Sequence, residues 1–181
     1  MRTPNRYLLL FFFVTVFISL ALGKQVFASE HPKKFTVITT VAPITNMVRN
    51  IGGVYIDVIG VVPDGVDSHT FEPIPSDIKT LQAADLIIAN GLDLELPTLK
   101  LAEKVKKPAT RVVQLGNRTL KEEDWQYDFS FPREHGHPNP HLWLNIQLVM
   151  QYAEIIRDSL SELDPKHQEQ YFLNTETYLA K

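Results

Sequence analysis

A chain of 181 residues with 44% hydrophobic content is long enough to bury a real core, and its 21 acidic and 18 basic residues leave a formal charge of −3. No basic patch or aromatic-basic interleaving is present, which excludes nucleic acid as an expected partner. The chain has no cysteine, so neither disulfides nor a lipidated N-terminal cysteine are expected.

Arg2 and Arg6 precede an apolar run from Leu8 to Leu22, and a short segment then ends Val26-Phe27-Ala28. Residues 1–28 read as a secretory signal peptide cleaved before Ser29. A membrane anchor is the alternative, but the run falls short of the ~20 residues that a spanning helix needs. Cleavage removes Arg2, Arg6 and Lys24 and leaves a mature chain of about −6, expected to be soluble and periplasmic.

Phe35 to Thr40 predicts a strand. Ile44, Met47, Val48 and Ile51 then recur at i, i+3, i+4 and i+7 of a helix that Gly52-Gly53 ends. Val54 to Val62 predicts a second strand, apolar on both faces and so covered on both. Ser76 is the expected N-cap of the next helix, with Asp77 in its first turn and Ile78 and Leu81 facing inward. Leu86 to Ala89 predicts a third strand. Leu94, Thr98, Leu101 and Val105 mark a further helix face with Pro97 in its first turn, and Arg111 to Leu115 predicts a fourth strand. The alternation predicts an α/β fold: a four-stranded parallel sheet with helices on both faces. Gly116 to Pro140 is a long polar, proline-containing loop. In a compact domain such a loop is functional or disordered.

Two imidazoles stand in proline-bounded turns. His69 lies in Asp67-Ser68-His69-Thr70-Phe71-Glu72-Pro73, and His141 in Asn139-Pro140-His141-Leu142-Trp143-Leu144. One follows the second strand and the other the fourth, so a parallel sheet brings both to its carboxyl edge, where open α/β sheets bind ligands. Imidazoles fixed by stiff loops suit a transition metal. A lone histidine in a polar loop is more often a surface residue, and the pair is what raises the metal reading. Asp67 and Glu72 either orient the His69 ring from its second nitrogen or cap the adjoining turn. His135 and His137 are accessory metal-gathering candidates or solvated side chains. His31 and His167 read as surface residues.

In order and spacing, Val41-Ala42-Pro43-Ile44, the Asp67–Pro73 segment, Pro75-Ser76-Asp77-Ile78, Ala84-Asp85-Leu86-Ile87, Asn90-Gly91-Leu92 and the Asn139–Leu144 segment resemble the zinc and manganese receptors that serve ABC transporters. The match is to the N-terminal half of that family. The resemblance assigns metal coordination to His69 and His141, and implies capture of a divalent metal outside the cytoplasm for a cognate permease and ATPase. A monomer that performs no chemistry is expected. Ser68 stands where the family often has Pro and Asn139 where Asp is common, so Asn139 removes a charge from the surroundings of the ligands. The family's other ligands come from a second lobe. Asp164-Pro165 opens a helix with Tyr171, Phe172, Thr175, Tyr178 and Leu179 as its apolar face, and Ala180-Lys181 follow with no turn signal. Residues 29–163 are therefore expected to be the metal-binding lobe and residues 164–181 the start of an inter-lobe connector, with the C-terminal lobe absent. Zn2+ is favoured, with Mn2+ as the alternative. Two readings from other classes are an exported zinc hydrolase with Glu72 as general base, and a surface adhesin.

Overall fold

The computed structural model describes residues 33–181, so the signal-peptide reading and His31 lie outside the described residues. Residues 34–181 form one compact unit. Four strands, β1 (Phe35–Thr39), β2 (Ile56–Gly60), β3 (Leu86–Ala89) and β4 (Arg111–Gln114), make a sheet of order β2-β1-β3-β4. All three pairings are parallel, with Phe35 opposite Ile56, Val37 opposite Leu86, and Leu86 opposite Arg111.

The helices divide between the two faces, and the strand period of two decides which residue meets which layer. Val37, Leu86, Ile88 and Val113 pack with Ile44, Met47, Val48 and Ile51 of α1 (Ala42–Gly52). Tyr152, Ile156 and Leu160 of α5 (Ile146–Leu163) and Tyr171 of α6 (Gln168–Leu179) complete that cluster. Ile38 and Ile87 point the other way, onto Leu81 of α2 (Pro75–Ala83) and Ala102 of α3 (Leu96–Val105). The α/β fold with helices on both faces is thus the observed one.

Several local expectations are corrected. The second strand is shorter than Val54–Val62 and sits at a sheet edge, where Asp57 is exposed and Ile59 is 44% exposed. Its apolar run does not distinguish a central strand from an edge strand covered on one side. Val54 belongs instead to a single 3-10 turn, Gly53–Tyr55. Ser76 does not cap α2. Ile74 occupies the N-cap position, Pro75 begins the helix, and the Asp77 carboxylate reaches back to accept from the Ile74 N–H at 2.8 Å.

The long segment after β4 is built rather than structureless. It holds a short helix, α4 (Leu115–Thr119), and single turns at Glu122–Asp124 and Arg133–His135. Trp125 packs against the main core, and the Asn139 N–H donates to the Gln126 carbonyl at 2.8 Å. The 18-residue α5 comes next, with Asn145 as its N-cap accepting from the Gln147 N–H at 2.9 Å. After it, Asp164 and Pro165 lead into a 3-10 turn, Pro165–His167, before α6 begins. Phe172 is half exposed and does not join the buried face of α6, which Tyr171 and Thr175 carry. His167 is no plain surface residue: its ring lies 4.5 Å from that of Tyr55, and Nδ1 is 2.6 Å from the Asp164 carboxylate.

Candidate metal site

The sheet order places a topological switch between β1 and β3, whose ensuing loops run to opposite sides. Above that point the two histidine turns meet. His69 Nε2 and His141 Nε2, 72 residues apart in sequence, are 3.2 Å from one another. Two nitrogens about 2.0–2.1 Å from a tetrahedral zinc lie about 3.3–3.4 Å apart, so the pair stands close to the separation that a shared metal requires.

Each turn is held by an identifiable device. Asp67 Oδ1 accepts from the His69 backbone N–H at 2.9 Å, which makes Asp67 the side chain that shapes the turn and not the one that orients the ring. Phe71 is partly buried against both core clusters and fastens the loop to the sheet edge. On the other side, the Asn139 side-chain oxygen accepts from the His141 N–H at 2.9 Å and lies 2.8 Å from His141 Nδ1. The Asn139 amide in turn donates to the Asp128 carboxylate at 2.6 Å. That hydrogen bond, before any other cause, holds the Asp128 carboxyl below the usual carboxylate range. Leu142 is buried just beyond the site, and Trp143 stands edge-on to the His141 ring at 5.1 Å.

Phe131 closes one side of the pair, its ring centroid 5.7 Å from that of His69 and 5.4 Å from that of His141. His69 is exposed and His141 partly buried. Burial is the main cause that lowers the His141 pKa, with the neighbouring His69 second and Asp128 acting weakly the other way. His141 is therefore held toward the neutral form, the form that binds metal.

A cavity of about 250 Å³ opens beside the pair, and His69, Asp93, Phe131, His135 and His137 are among its walls. His137 Nδ1 lies 3.0 Å from the Asp93 carboxylate, and among the described residues neither His135 nor His137, both on the cavity wall, groups with the pair. Asp93 is presented by an unusual turn in which Gly91, Leu92 and Asp93 all have positive φ, at 81°, 53° and 62°. Position 91 favours glycine, since a side chain is strained at φ 81° and a Cβ there would stand 2.3 Å from the Asn117 side-chain oxygen and 2.9 Å from the Gln114 Cβ. Among the described residues no third His, Asp or Glu joins a metal-binding group, Glu72 included.

Beneath the turns lies a buried polar network that sequence reasoning does not find. The Glu95 carboxylate, 2% exposed, accepts from the Thr40 hydroxyl at 2.5 Å, the Asn90 N–H at 2.8 Å and the Gly91 N–H at 3.2 Å. Burial nonetheless pushes its pKa above the usual carboxylate value. The Asn90 side chain accepts from the Tyr152 hydroxyl at 3.0 Å and donates to the Pro140 carbonyl, also at 3.0 Å. Pro140 directly precedes His141, so the network supports the His141 turn from below.

Comparison with known proteins gives one consistent set. The iron-binding protein YfeA of Yersinia pestis is 35% identical over 153 residues, covering 84% of this chain and 47% of that protein. The manganese ABC transporter substrate-binding lipoprotein PsaA of Streptococcus mitis is 34% identical over 188 residues, covering 100% of this chain and 58% of that one. The solved structure of the Mn-bound periplasmic metal binding protein from Candidatus Liberibacter asiaticus matches with a TM-score of 0.71 and 30% identity over 81% of this chain and 52% of its own. The periplasmic zinc binding protein TroA from Treponema pallidum matches with a TM-score of 0.72 and 26% identity, over 82% and 51%. The chain spans about half the length of the relatives it matches. PsaA is named as the substrate-binding component of a transporter and the other three as metal-binding proteins, none as an enzyme, so the comparisons lend a hydrolase reading no support. The model of the family described as "ZnuA: Zinc-uptake complex component A periplasmic" matches residues 37–181, and the chain belongs to that family.

Proposed function

We propose that this chain is the first, metal-capturing half of an extracytoplasmic receptor that takes a divalent transition metal and delivers it to an ABC permease with its ATPase. The observation that carries the proposal is the 3.2 Å approach of His69 Nε2 and His141 Nε2 across two separately anchored turns. The two imidazoles are the ligands this half supplies, and the remaining positions of the shell fall to a second lobe or to water. Segment 164–181 is in this reading the start of the connector to that lobe. The receptor acts as a monomer in the periplasm.

Zinc is the metal we favour, because two imidazoles suit it; carboxylates supplied by another lobe would turn the same site toward manganese. His135 and His137, on the wall of the adjoining cavity, are the accessory pair that gathers metal near the entrance. The relatives' names divide among iron, manganese and zinc, so the choice belongs to direct measurement.

The test is zinc and manganese affinity by competition with a chromophoric chelator. Wild type is expected to bind one metal weakly, and the His69→Ala/His141→Ala variant to lose that binding. Equal affinity in the two proteins would overturn the proposal. A preference between the metals in the wild-type titration decides zinc against manganese for this half of the site.

A further inference from the structure

Asn139 can be oriented without ambiguity, because one of its neighbours is a donor whose identity is fixed. The His141 backbone N–H points at the Asn139 side chain, so the atom facing it is the oxygen. The amide nitrogen then faces Asp128, which accepts at 2.6 Å. The same Asn139 oxygen lies 2.8 Å from His141 Nδ1, and an acceptor there requires that Nδ1 carry the proton. In neutral His141, Nε2 is consequently the bare nitrogen, and it faces His69.

We propose that Asp128 is a positioning residue for the metal site: through Asn139 it locks His141 in the Nδ1–H tautomer and aims Nε2 as a ready ligand. The proposal rests on the receptor reading above and deepens it. The two ligands then differ in readiness. Metal-free, His69 Nε2–H donates to His141 Nε2; to ligate, His69 must move its proton to Nδ1, with no net proton change. Neither Asp67 nor Glu72 holds that nitrogen, as Asp67 is engaged with the backbone of the turn.

Asp128 has a second task. Its Oδ1 accepts from the Ser130 N–H at 2.8 Å and the Phe131 N–H at 3.0 Å, while backbone hydrogen bonds join Asp128 and Phe131 in both directions. This tight turn seats the Phe131 ring against both imidazoles. One carboxylate thereby couples the order of the loop to the orientation of the ligand. It also explains how a site with Asn139 retains a carboxylate: the charge stands one side chain further out.

Reciprocal substitution tests the relay in the purified chain. Asp128→Asn keeps an oxygen for the Ser130 and Phe131 N–H groups but sets an amide nitrogen against the Asn139 nitrogen, so it breaks the relay and spares the turn. In metal-free protein at pH 8, the ring-nitrogen NMR pattern of His141 is expected to change from a single Nδ1–H form to an average of both tautomers. Zinc affinity should fall about tenfold. In the Asp128→Asn/Asn139→Asp double variant, donor and acceptor exchange places, and both the single-tautomer pattern and the affinity should return. A wild-type nitrogen pattern in Asp128→Asn, or a double variant no better than the single one, would overturn the proposal. The spectrum is read without metal, so absence of zinc binding in the wild type would sink the receptor reading while the relay is judged on the imidazole alone.

Discussion

Glu95→Ala is expected to lower the stability of the chain by about 3 kcal/mol, measured by urea unfolding, and to weaken metal binding as well. The substitution leaves the Thr40 hydroxyl and the Asn90 and Gly91 N–H groups without their acceptor in a site shut off from water. Each buried donor left unmade costs about 1–3 kcal/mol, against which stands relief from the desolvation of one carboxylate. Thr40 lies just past β1 and Asn90 just past β3, so the carboxylate ties together the two strand ends at the switch point. Freed from it, Asn90 holds the Pro140 carbonyl less firmly, and the His141 turn loosens. A loss under 1 kcal/mol would mean that water enters and satisfies the donors. The pH dependence has a definite sign. The folded-state pKa of Glu95 is raised, so its protonated form contributes stability that is fully present below the ordinary value of 4.5 and is lost as pH rises through the folded value. In Glu95→Gln that loss on the alkaline side of 4.5 should disappear.

Periodicity and chain order control the part of the fold that is legible in the chain. The alternation of strand and helix patterns leads to a parallel sheet, and a parallel sheet leads both histidine turns to one edge; the structure joins them there. The lateral position of each strand is a different matter, because Val54 to Val62 reads the same at an edge as at the centre. Only the order β2-β1-β3-β4 shows that Ile59 faces solvent. Helix α5 has no counterpart among the sequence expectations although its signal is present: Val149, Tyr152, Ala153, Ile156 and Leu160 keep the helical period behind an Asn cap. It lies directly behind the Asn139–Leu144 motif, whose polar and proline-rich approach reads as loop.

Asp67 and Asn139, which brace the two turns, can be picked out from their places beside the histidines, but the supports further back are not legible, for a physical reason. Asp128 stands in a polar segment thirteen positions before His141, and nothing in its immediate neighbours separates it from Asp124 or Glu134. Its role comes from a fold of the loop that returns residue 139 to residue 126, a contact between side chains and backbone with no period. Asn90 is visible only as part of a resemblance, and Glu95 not at all. A buried carboxylate leaves the same letter in a sequence as an exposed one, and burial is decided here by the left-handed turn from Gly91 to Asp93 that folds Glu95 back beneath β3.

Tyr171→Ala is expected to cost about 3–5 kcal/mol, the range for removing a large buried aromatic side chain. Tyr171 is fully buried, stands edge-on to Tyr55 with ring centroids 6.2 Å apart, and donates its hydroxyl to Asp164 at 2.8 Å. Burial first, and then the hydrogen bond to Asp164, hold that hydroxyl protonated well above the usual tyrosine range. Asn174 adds a hydrogen bond from its amide to the Ile51 carbonyl at 2.8 Å, and Thr175 is buried beside it. Helix α6 is therefore seated on α1 and the core, and does not project from them. Tyr171→Phe separates the parts of this anchor: the ring remains, one hydrogen bond to a carboxylate is lost, and Asp164 retains His167, so a cost of about 1 kcal/mol is expected. Thermal unfolding of both variants checks the pair. If α6 were held only by a second lobe in a longer protein, Tyr171→Ala would be nearly neutral in this chain. A large cost means that α6 is rooted in the core formed with α1, and that its direction is set by the packing of Tyr171 and Thr175.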